Sequence, residues 1–95
     1  MPMLCPTPEA LLCDERGRPS FLWDNELTLD DLRLRLRDAD PAVAAYWVGT
    51  VMRQARPDDA IVLVGVERMR ALWPLVQRHL GRERPFWSWY LDKAR

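Results

Sequence analysis

The chain has 95 residues, 14 Lys and Arg against 14 Asp and Glu, one histidine and two cysteines. That length accommodates one modest core, which buries roughly two-thirds of the surface an unfolded chain of this size exposes, and leaves no room for a second domain. The balanced charge removes a general attraction to phosphate backbones, no apolar run nears the roughly 20 residues of a membrane span, and two cysteines with one distant histidine are too few for a zinc site.

Charge is uneven along the chain, with six acids and two bases in residues 1–30 and eight acids and twelve bases in residues 31–95. An acidic leader therefore precedes a mildly basic body. The start lacks the basic-then-apolar order of a signal peptide, which points to the cytoplasm and to reduced thiols at Cys5 and Cys13. Residues 1–20 contain Pro2, Pro6, Pro8 and Pro19 and the turn-like ERGRPS from Glu15 to Ser20, so an irregular leader is expected. Only Pro8 to Asp14 could form a short helical turn. The helical domain then occupies residues 21–95.

Two helix starts follow from hydrogen-bond chemistry. Thr28 can accept from an otherwise unsatisfied N–H of the first turn, and Asp31 places a carboxylate at the positive end of the helix dipole. Asp40 repeats the device ahead of Pro41, whose missing N–H costs nothing at a first helical position. A tight corner at Asp38 to Pro41 thus joins an antiparallel helical hairpin. Leu32, Leu34 and Leu36 alternate with Arg33, Arg35 and Arg37 in the period of a strand. Helix is preferred, because Leu29, Leu32 and Leu36 also share a helical face and capping residues have no use in a strand. Leu34 is left on the far side.

The second helix, Pro41 to Arg56, is small or apolar around most of its circumference and should be central, with Gly49 marking a close approach of another helix. Pro57 ends it, and Asp58 and Asp59 suit a new first turn. Ala60 to Val66 (AIVLVGV) has strand-like β-branching, but a lone strand has nothing to pair with, so a short buried helix is expected. Val66, Met69, Leu72, Trp73, Val76 and Leu80 then form one apolar stripe, which Pro74 should kink or restart and Gly81 should close. Trp47 and Trp73 lie on such stripes and are assigned to the core. A last helix from Arg84 to Ala94 crowds Phe86, Trp87, Trp89, Tyr90 and Leu91 together, more than one face can hide. The expected fold is all-α: a compact bundle of four to five short helices built on the hairpin.

These residues resemble a known family, the small helical proteins encoded beside AbiEii-type nucleotidyltransferase toxins in bacteria and regarded as their antitoxins. The resemblance runs from Pro19 to Leu91. It rests on F-x-W-D at Phe21 to Asp24, the LRDADP corner, ARPDD at Ala55 to Asp59, ALWPLVQRHLG at Ala71 to Gly81, and the Trp-rich end at Phe86 to Trp89. Two departures are AIVLVGV, where members carry an aromatic and polar segment, and the leader, which has no counterpart. The resemblance implies a nucleotidyltransferase toxin as partner. One HEAT-type helical repeat is similar in shape to residues 32–55, and a single copy signifies a shared hairpin solution rather than a solenoid.

Function is therefore expected to be docking rather than catalysis. Phe21, Trp23, Asp24, Phe86, Trp87, Trp89 and Tyr90 are the candidate partner-binding residues, and Arg33, Arg35 and Arg37 the candidate phosphate contacts. Pairing His79 with Asp58 or Asp59 makes no catalytic site, because no nucleophile accompanies them. No catalytic residue, metal or cofactor is assigned. The alternatives are a nucleic-acid-binding module, favoured if the first-helix arginines share a face with Arg78, Arg82 and Arg84, and a homo-oligomeric adaptor.

Overall fold

The computed structural model describes Cys13 and residues 27–93. Among the described residues six α-helices follow one another: α1 Leu29–Leu36, α2 Pro41–Gln54, α3 Pro57–Val64, α4 Val66–Ala71, α5 Trp73–Val76 and α6 Arg84–Lys93. Two 3₁₀ turns, Gln77–His79 and Gly81–Glu83, join α5 to α6. No β-strand occurs among the described residues, so the all-α expectation holds. Among them, too, no helix is long and apolar enough to cross a membrane.

The hairpin is built by the capping chemistry its sequence contains. The Thr28 hydroxyl accepts from the Asp31 N–H at 3.1 Å while the Asp31 carboxylate accepts from the Thr28 N–H at 3.4 Å, a reciprocal capping box. At the corner, the Asp38 carboxylate accepts the Asp40 N–H at 2.8 Å and the Asp40 carboxylate accepts the Ala42 N–H at 2.9 Å. Two successive carboxylates thus satisfy the donors that a tight corner would leave bare. Asp40→Ala removes the second of these bonds and is expected to cost about 1 kcal/mol of stability, read from the urea midpoint. An unchanged midpoint would mean that Pro41 alone sets the corner.

Helix α2 is the central element, packed against α1, α3, α5 and both 3₁₀ turns. Its buried face carries Ala44, Ala45, Val48, Gly49, Val51 and Met52, and α1 answers with Leu29, Leu32 and Leu36. Small residues at the contact let the two backbones approach. Leu34, on the opposite face of α1, is 73% exposed. Thr50 is also buried, and its hydroxyl donates to the Tyr46 carbonyl at 2.9 Å, so it leaves no unmet polar group.

AIVLVGV is helical up to Val64, with Ala60 and Ile61 buried and Val62 exposed. The chain then turns at Gly65, whose φ of +93° lies where side chains other than glycine's are strained. The apolar stripe from Val66 to Leu80 faces the core, but it is cut into shorter pieces than a single kinked helix. Pro74 has no N–H with which to continue the α4 ladder, so α4 stops at Ala71 and α5 restarts at Trp73 with Pro74 in its first turn.

The tryptophans correct the sequence expectation in both directions. Trp47 and Trp73, assigned to the core, are only half-buried and pack against it from its edge. Trp87, assigned to a partner surface, is the largest fully buried side chain among the described residues. Its indole N–H donates to the Met52 carbonyl at 2.9 Å, one of the last four carbonyls of α2, which have no partner within their own helix. Arginines finish other helix ends in the same way. Arg70 donates twice to the Leu91 carbonyl of α6, at 2.7 and 3.2 Å, Arg53 donates to His79, and Arg68 reaches Leu36 at 3.5 Å. Each sets a cation at the negative end of a helix or turn. The Arg68 Nε is buried and makes no hydrogen bond.

Candidate docking surface

Helix α6 divides its aromatics between core and surface. Positions 87 and 91 lie on one side, four residues apart, and are buried as Trp87 and Leu91. Phe86 and Trp89 fall on the other side, 38% and 58% exposed, with Tyr90 half-buried between the two groups. Their rings touch in series. Phe86 meets Trp87 edge to face at 5.1 Å, stacks on Tyr90 at 6.1 Å and leans on Trp89 at 6.4 Å, so the exposed rings are held by buried ones.

Beside this surface runs an open groove of about 850 Å³, lined by Arg70, Trp73, Pro85, Ser88, Trp89, Leu91 and Asp92. Trp73 contributes from α5 and Trp89 from α6. Arg70, tied to the Leu91 carbonyl, links α4 to α6 beside them. The groove thus joins two indoles from different helices to a guanidinium whose position is fixed by hydrogen bonds. Such a site suits an apolar side chain flanked by a polar or acidic one.

Of the sequence candidates, Phe86, Trp89 and Tyr90 come together here, whereas Trp87 is withdrawn into the core. Phe21, Trp23 and Asp24 lie outside the described residues, as do Cys5 and the expected turn at Pro8 to Asp14 apart from Cys13. Cys13 itself is half-buried against the core. Sequence reasoning missed Trp73 and Arg70 as groove residues, because it assigned Trp73 to the core and the Arg70 bonds to the Leu91 carbonyl span 21 positions.

The three arginines do not form one grip. Successive residues are about 100° apart on a helix, so Arg33 and Arg35, two positions apart on α1, face away from each other, and Arg37 caps the helix just past its last residue. Arg33 pairs with Asp30 at 3.5 Å across an exposed turn. Arg35 lies over the Trp47 ring, 5.1 Å from its centroid. His79 sits edge-on to Tyr46 at 5.8 Å, in a structural contact rather than an acid–base arrangement. Among the described residues, no three of His, Cys, Asp and Glu gather where they could hold a metal ion.

No protein-family model, curated protein or solved structure matches this chain.

Proposed function

We propose that this protein is a cytoplasmic bacterial binding protein of the antitoxin type, which complexes with a nucleotidyltransferase toxin and neutralises it through the α6 surface. The observation that carries the reading is the exposed Trp89 and Phe86 beside a groove shared with Trp73, in a domain whose core is already filled by Trp87. Large aromatics held rigid at a groove are the residue type that dominates interface hot spots. The class of partner comes from the sequence resemblance. Catalysis by such a toxin needs carboxylate-held Mg²⁺ and an open triphosphate cleft, so a small protein need only occupy or distort that cleft.

The neighbouring reading frame is expected to encode a protein with the G-S-x-x-D-x-D pattern of nucleotidyltransferases, and co-expression should yield a stable complex and relieve its toxicity. Trp89→Ala should cost about 2 kcal/mol in binding, some thirty-fold in affinity by titration calorimetry, while the melting curve of the free protein stays in place. Wild-type affinity in that variant would remove α6 as the docking face. A neighbour of another class would remove the toxin reading.

A further inference from the structure

A second surface, which shares no lining residue with the docking groove, joins aromatic rings to arginines across three elements. Arg35 of α1 lies 5.1 Å from the Trp47 centroid, Trp47 meets Tyr46 edge-on at 5.2 Å, and Tyr46 meets His79 at 5.8 Å. His79 in turn lines an open basin of about 450 Å³ with Arg53, Arg78, Leu80, Gly81, Arg82 and Glu83. Tyr46 is 51% exposed, and Arg35, Arg53, Arg78 and Arg82 are all exposed. Among the described residues, Glu83 is the one acid lining the basin. Arg53 has one nitrogen committed to the His79 carbonyl at 3.0 Å. Gly49 makes the arrangement possible. A Cβ there would stand 2.8 Å from the His79 Cβ, so only glycine lets the turn that carries Arg78 and His79 pack this closely on α2.

We infer that this strip is a binding site for single-stranded nucleic acid, with Tyr46 and the Arg35 guanidinium as stacking platforms and Arg78 and Arg82 as phosphate contacts. Proteins that hold single strands without reading sequence pair a cationic groove with aromatic faces, and a guanidinium plane also accepts a stacked base. The arrangement fits that chemistry better than it fits an acidic peptide. A run of acidic side chains would meet the arginines alone, whereas a single strand brings both a charged backbone for the arginines and flat bases for the Tyr46 ring. The net charge of zero makes the local grouping the source of attraction. The inference does not depend on the toxin reading, since it involves neither Trp89 nor the α6 groove.

The test is fluorescence anisotropy of the full chain with a fluorescein-labelled oligo(dT) about twelve nucleotides long, within the range of single-strand site sizes. Tyr46→Ala should weaken binding about tenfold and Tyr46→Phe should restore it, as one stacked base requires. The double variant Arg78→Gln with Arg82→Gln should lower the slope of log affinity against log salt by about 1.4, the loss of two phosphate contacts. This second measurement stands even if Tyr46→Ala fails to fold. Absence of binding, equal affinity for a duplex of the same length, or equal binding by Tyr46→Ala and wild type would overturn the proposal. Polyglutamate competing as well as the oligonucleotide would overturn it in favour of an acidic protein segment. Trp89→Ala should leave oligonucleotide binding unchanged.

Discussion

Trp87→Ala is expected to destabilise the protein by about 4 kcal/mol, the range for emptying a fully buried tryptophan site. The indole fills the space between α6 and the end of α2, and its removal also leaves the Met52 carbonyl without its donor. Domains of this size are stable by only about 5–15 kcal/mol, so the variant should lie close to unfolding at ambient temperature. Trp87→Phe should keep most of the packing and lose the hydrogen bond, falling between the variant and wild type. Trp89→Ala, two residues away, should fall within about 0.5 kcal/mol of wild type, because its ring is exposed. Urea unfolding of the three variants checks the order. Equal loss from Trp87→Ala and Trp89→Ala would mean that α6 turns a different face to the core and that the docking surface is misassigned.

That contrast marks the boundary of what the sequence made legible. Local chemistry was readable: the caps at Thr28 and Asp40, the proline starts at Pro41, Pro57 and Pro85, and the left-handed glycine at Gly81, with φ of +53°, each act within a few residues of themselves. The stripe from Val66 to Leu80 was readable as a buried face, because periodicity survives even where the helix is broken. The fate of each aromatic on α6 was not. Five bulky residues in six positions cover every side of a helix, and only the position of α2 decides that Trp87 is the one enclosed. The arginine bonds to Leu36, His79 and Leu91 were equally hidden, since they join residues 21 to 32 positions apart and resemble ordinary surface charge in the sequence. Arg33, Arg35 and Arg37 read as a basic trio, but helical geometry separates Arg33 from Arg35, and among the described residues Arg35 alone lies over an aromatic ring.

Gly49→Leu is expected to cost about 3 kcal/mol, at the upper end for overpacking, because even its first carbon has no space. A Cβ at this position would lie 2.8 Å from the His79 Cβ, closer than carbon atoms in proteins approach, and the obstacle is the root of a side chain, which cannot swing aside. The turn carrying His79 must therefore move, and with it Leu80, which is fully buried. In an exposed helix interior Gly→Ala would stabilise by about 1 kcal/mol, so a neutral or destabilising Gly49→Ala already signals the clash. The cause can be isolated by a double-mutant cycle. In a His79→Gly background the opposing Cβ is absent, and Gly49→Ala should regain its ordinary stabilising effect of about 1 kcal/mol. For a chain this short, the loss in Gly49→Leu corresponds to a fall in melting temperature of more than about 12 °C. Additive behaviour in the cycle would show that Gly49 and His79 do not oppose each other. The close packing of α2 against the turn that carries His79 would then need another cause.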